Sequence, residues 1–125
     1  MKKEVINSSN APAALGPYSH ANAAGDMLFV SGQLGIDPSA GKLAEGVEAQ
    51  AEQGFKNLKT ILEAGGSSLD QVVKTTVFLA DIADFAAVNA IYAEYFTADF
   101  PARSCVQVAA LPMGALFEVE AVAVR

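Results

Sequence analysis

The chain has one cysteine, one histidine and no tryptophan among its 125 residues. The lone Cys105 excludes an intrachain disulfide and a cysteine-based zinc site, and it suits a reducing compartment. The lone His20 excludes a His-rich centre, so no metal is expected. Basic residues are scarce too: eight Lys and Arg stand against fourteen Asp and Glu, for a net charge of −6. That leaves no basic footprint for a phosphate backbone, and no nucleic-acid partner is expected. No run approaches the roughly 18 apolar residues of a spanning helix, so no membrane partner is expected. Met1-Lys2-Lys3 is basic, but Glu4 and Asn7-Ser8-Ser9-Asn10 follow where a signal peptide needs an apolar stretch. A cytoplasmic location is expected.

What is present is a rich core. Apolar residues make up 52% of the chain and charged residues only 18%. Some of that apolar surface should end against another subunit. Without repeats, low-complexity tracts or linkers, residues 1–125 read as a single domain.

The order of elements follows from periodicity and breakers. Lys3 to Ile6 can form a first strand, and Asn7 to Pro17 reads as a loop. Ser19 to Ala24, Gly25-Asp26 and Met27 to Ser31 read as strand, turn, strand. Gly32 to Gly46 reads as a long loop. Val47, Ala51, Phe55, Leu58 and Leu62 recur at helical spacing, which predicts a helix from Val47 to Ala64 stopped by Gly65-Gly66. Val72 to Leu79 is a β-branched and aromatic run. Asp84 can cap a second helix that buries Phe85, Val88, Tyr92 and Tyr95 or Phe96. Arg103 to Ala110 and Leu116 to Val124 complete a β-β-β-α-β-α-β-β order, an α+β fold with a mixed sheet and both helices on one face. Alternation sets Phe117, Val119, Ala121 and Ala123 against Glu118, Glu120, Val122 and Val124. Arg103, Cys105 and Gln107 are expected to share the uncovered face with Glu118.

Few residues could carry chemistry. Arg103 opens an otherwise apolar strand. It is either a strand-end charge in water or a planar fork for a carboxylate. Glu118 and Glu120, two apart on one strand, share a face. Both could be solvated, or one could orient or activate a water beside a substrate held by Arg103 on a neighbouring strand. Tyr18 is a core ring or a pocket donor. Ser31-Gly32 ends a strand where a ligand could approach backbone, or simply turns. Asn89 is a mediocre helix residue that faces either water or a pocket. Cys105 is more simply a small buried thiol than a nucleophile, since no base pairs with it. His20 reads as a satisfied or surface histidine.

Together, Gly16-Pro17-Tyr18-Ser19, Val30-Ser31-Gly32-Gln33, Lys74-Thr75-Thr76-Val77-Phe78-Leu79, Val88-Asn89-Ala90-Ile91-Tyr92, Pro101-Ala102-Arg103-Ser104-Cys105 and Phe117-Glu118-Val119-Glu120-Ala121 resemble the RidA/YjgF family of reactive-intermediate (2-iminobutanoate/2-iminopropanoate) deaminases. The resemblance runs over nearly the whole chain, and Pro101 to Cys105 is its most specific part. It implies a fold like the chorismate mutase of bacilli, assembled as a homotrimer with sites in clefts between subunits. It implies hydrolysis of 2-aminoacrylate, 2-aminocrotonate and their 2-imino acid tautomers to 2-oxo acids and ammonia, with no cofactor. By position, Arg103 would bind the carboxylate and Glu118 would handle the water. Tyr18, Ser31, Gly32, Asn89 and Cys105 would line the pocket, and Glu120 would be structural. Where His20 stands, family members often carry glutamine or another polar residue. Two other classes stay open: an RNA-directed translation inhibitor or ribonuclease, and a non-catalytic metabolite binder or chaperone-like protein.

Overall fold

In a computed structural model describing residues 1–125, the chain runs β1 (Lys3–Ile6), β2 (Ala21–Ala24), β3 (Met27–Leu34), β4 (Ile36–Asp37), β5 (Lys42–Leu43), α1 (Val47–Ala64), β6 (Val72–Leu79), α2 (Phe85–Tyr95), β7 (Ala102–Gln107) and β8 (Phe117–Val124). Helix α1 has the bounds its periodicity predicts. Its apolar stripe of Ala51, Phe55, Leu58, Ile61 and Leu62 is fully buried. Six strands form one sheet in the order β1-β2-β3-β8-β6-β7. Every neighbouring pair is antiparallel except β6 and β7, which are parallel and joined through α2. Both helices pack on one face, where Val88 and Tyr92 of α2 and Phe55 of α1 meet Leu28, Val77, Leu79, Phe117 and Val119 of the strands. No helix covers the opposite face, on which Phe29 remains 49% exposed.

Several local expectations are corrected. The loop from Gly32 to Gly46 contains the hairpin β4–β5, whose turn is held by Asp37 accepting the Ser39 amide at 2.9 Å. Two-residue strands are too short to show alternation. Strand β2 begins at Ala21 and not at Ser19, because the backbone there is bonded out of the ladder: the His20 amide donates to Asn7 Oδ1 at 3.0 Å. Asp84 stands just before α2 but caps nothing. Asp81 instead accepts the Ala83 amide and caps the tight turn Ile82–Asp84 that leads into the helix.

The largest correction concerns β7. It is an edge strand, separated from β8 by β6, so Arg103 and Glu118 are not on neighbouring strands. Parallel pairing sets Arg103 beside Thr75 and Cys105 beside Val77, and both partners are wholly buried on the helix face. Arg103, Cys105 and Gln107 therefore face the helices, while Ser104 and Val106 face outward with Glu118. The expected facing is thus reversed: at this edge the helix side is only partly covered, so the polar set sits there and the smaller set of Ser104 and Val106 faces outward.

Candidate active site

The site starts from an irregularity in β3. Val30 pairs with Ala121 and Gln33 with Val119, so β3 spends three steps where β8 spends two. Ser31-Gly32 thus forms a β-bulge, a device that re-aims side chains beside functional sites. The Ser31 amide donates to the His20 carbonyl at 2.9 Å, while its hydroxyl donates to the Ser19 carbonyl at 2.7 Å. At Gly32 a Cβ would lie 2.0 Å from Glu118 Oε2. Only glycine lets the carboxylate of Glu118 rest against the β3 backbone.

This carboxylate lines a cavity of about 620 Å³ on the uncovered face, bounded by β8, the bulge and the segment 12–18. Tyr18 stands on its wall, and its phenol oxygen accepts the Leu15 amide at 3.0 Å. Burial, and then the neighbouring charge of Glu120, hold the Glu118 carboxyl above its ordinary range. Glu120 lines the same cavity. His20 also lines the cavity, 5% exposed, with both ring nitrogens bonded to backbone.

A second cluster sits at the β7 edge on the helix side. Arg103 donates from one terminal nitrogen to Asn89 Oδ1 at 2.7 Å. Its guanidinium lies over the Tyr92 ring at 4.7 Å and the Phe85 ring at 5.5 Å from the centroids. The Tyr92 hydroxyl is anchored in turn on Thr75 Oγ1 at 2.7 Å. Arg103 is thus held at one edge and one face, with further N–H donors left for an anion. Cys105 packs beside the core, and burial pushes its thiol up despite the opposing pull of Arg103. It is not an activated nucleophile.

The seven residues singled out from sequence fall into two groups. Tyr18, Ser31, Gly32 and Glu118 meet at the cavity. Arg103, Asn89 and Cys105 meet at the β7 edge, on the other side of the sheet. Sequence reasoning missed Tyr92 as the platform under Arg103, although its place three residues after Asn89 puts both on one helix stripe. It also missed His20 as a tie in the cavity wall, for which the sequence carries no local signal.

A six-stranded mixed sheet backed by two helices, with a glycine-cradled carboxylate on its open face, defines the class. Residues 8–125 match the family described as endoribonuclease L-PSP, and the chain belongs to this family, that of the RidA/YjgF proteins. Reactive Intermediate Deaminase A, chloroplastic, of Arabidopsis thaliana is 55% identical over 124 residues, covering 98% of this chain and 66% of that protein. A 2-iminobutanoate/2-iminopropanoate deaminase of Salmonella typhimurium is 51% identical over 125 residues, 98% of each chain. The structure of RidA from an Antarctic Psychrobacter superposes with a TM-score of 0.96 at 47% identity, covering 98% of this chain and 99% of that one.

Proposed function

We propose that the protein is a 2-iminobutanoate/2-iminopropanoate deaminase, which adds water to the C=N bond of a 2-imino acid and releases a 2-oxo acid and ammonia. Identity of 51% over 98% of this chain to proteins bearing that name supports the reaction. The single observation that carries the chemistry is the Glu118 carboxyl, cradled on Gly32 and raised by burial. An imine carbon is already electrophilic, so the reaction needs a placed water and a group that takes a proton and gives it back. A carboxyl moved towards neutral pH suits both steps. It accepts the proton of the attacking water. Attack on the protonated imine gives a neutral carbinolamine. The carboxyl then returns that proton to nitrogen, the C–N bond breaks to release ammonia, and the hydroxyl proton passes to water as the C=O bond forms.

Arg103 would grip the substrate carboxylate, with Asn89 and Cys105 beside it and Tyr18, Ser31 and Gly32 around the reacting carbon. Arg103 and Glu118 lie on opposite faces of one chain's sheet, so one chain cannot present both to one substrate. This favours a homotrimer in which each cleft pairs Arg103 of one copy with Glu118 of another. The exposed apolar Phe29, Val106 and Val124 suit burial in such an assembly. Each copy would be one domain spanning 1–125. The family's descriptive name is that of a ribonuclease, but the acidic balance of this chain offers no track for RNA.

The test is consumption of 2-aminoacrylate and 2-aminocrotonate by the native chain and by Arg103→Ala, with 2-oxo acid and ammonia measured together. Equal rates in the two proteins would overturn the reading. A pure binder would retain 2-oxo acid affinity and show no turnover.

A further inference from the structure

We infer that His20 is the positioning residue of the cavity's outer wall, and that it holds this wall only in its neutral, Nε2-protonated form. The inference deepens the reading of the Glu118 cavity and rests on it for its catalytic consequence.

The geometry leaves one tautomer. Nδ1 lies 3.0 Å from the Ser8 amide nitrogen, which can only donate, so Nδ1 must be bare. Nε2 lies 2.8 Å from the Pro12 carbonyl oxygen, which can only accept, so Nε2 must carry the proton. The same residue's amide donates to Asn7 Oδ1 at 3.0 Å, and its carbonyl accepts the Ser31 amide at 2.9 Å. His20 is thus bonded at four points. Three run to the segment 7–12 that leads into the wall, and one runs to the bulge that carries Gly32. The ring is buried and lines the cavity.

Protonation adds a hydrogen to Nδ1, where it meets the hydrogen of the Ser8 amide. Donor then faces donor, the tie to Ser8 is lost, and the segment is held by fewer bonds. No charged residue of the segment 7–17, of Ser31–Leu34 or of the stretch 111–116 faces the ring to offset that change. The charged groups sharing its cavity are Glu118 and Glu120 of β8, and the phenol of Tyr18 also lines it. Protonation of the ring should therefore loosen the wall bearing Tyr18 and weaken substrate binding.

Because His20 is the chain's sole histidine, its ring can be read without ambiguity in the ¹⁵N-labelled full-length protein. At about pH 8 the ring nitrogens should report the Nε2–H tautomer. As acid protonates the ring, followed directly at its nitrogens, the protection of the Ser8 amide, corrected for the intrinsic pH dependence of exchange, should fall about tenfold, the loss of about one hydrogen bond. In the deaminase assay KM should rise over the ring's titration in the native chain. In His20→Gln, or His20→Asn if the first folds poorly, the part of that rise that follows the ring's protonation should be absent, because neither amide titrates. A ring found as the Nδ1–H tautomer would overturn the inference, as would a Ser8 amide indifferent to the ring's protonation. So would the same KM rise in the Gln and Asn variants. The first two measurements need no substrate, so they stand or fall separately from the deaminase reading.

Discussion

Replacing Arg103 by lysine keeps the charge and discards the fork. Lysine also loses the flat face that rests on Tyr92 and the geometry that reaches Asn89. Arg103→Lys should lower kcat/KM for imine hydrolysis by about tenfold or more with the fold intact by circular dichroism; activity equal to the native chain would remove the bidentate grip. Glu118 carries a sign that can be worked out. Its folded carboxyl is held above the ordinary 4.5 by burial. Between those two values the folded chain binds more protons than the unfolded chain, so stability falls as pH rises through that window and stays reduced above it. Glu118→Gln removes this cost. The variant should melt at a higher temperature than the native chain near pH 8, and the difference should vanish in acid below the ordinary carboxylate value. The same change should reduce turnover about 10²- to 10⁴-fold. Glu120→Gln should cost mainly stability or assembly. An equal catalytic loss from both variants, or a Glu118→Gln protein that melts lower at neutral pH, would contradict the assignment.

At the scale of elements, α1 shows how a helix can be read while one of its packing contacts cannot. Its bounds follow from apolar spacing and the glycines at its end. Gly54, midway along, looks like a defect in a helix. In the fold its missing side chain makes room for Phe117, whose ring a Cβ would approach to 2.6 Å. Gly54→Ala gains about 1 kcal/mol of helix propensity and incurs about 1–3 kcal/mol of overpacking. The second outweighs the first, and the variant should unfold at lower denaturant concentration; a stabilised Gly54→Ala would show that Phe117 yields freely. The strands divide in a similar way. The facing of β8 was legible because Phe117 and Val119 alternate cleanly with Glu118 and Glu120. The facing of β7 was misread, because the more polar set Arg103, Cys105 and Gln107 suggested the uncovered face, whereas in the fold it turns to the helices and Ser104 and Val106 turn outward. The bulge in β3 was equally hidden. Ser31-Gly32 reads as a strand end, and only pairing with β8 reveals that the strand continues.

For the whole molecule, the separation of Arg103 from Glu118 across the sheet makes assembly a condition of the proposed catalysis. Light scattering of dilute protein should give about three chain masses, and a stable monomer that hydrolyses imines would defeat the shared cleft. A sharper measurement mixes two inactive proteins. Arg103→Ala and Glu118→Gln, unfolded together in equal amounts and refolded, should recover about a quarter of native activity, because each cleft draws its two residues from independent copies. Mixing without unfolding should recover less, and no recovery after refolding would mean that one chain supplies both groups. The sequence pointed to the proposed assembly only through surplus apolar content and family resemblance, and the face it would bury is the one the two helices leave uncovered.

The bulge at Ser31-Gly32 has a genetic consequence. One residue of slack separates a plain strand from one that cradles a carboxylate. Were Gly32 deleted, Ser31 would pair with Glu120 and Gln33 with Val119 in unbroken register, and Leu28 and Val30 would keep their buried places. A single lost codon could then yield a chain that still folds and no longer seats Glu118. Inactive descendants of this fold therefore lie one deletion away.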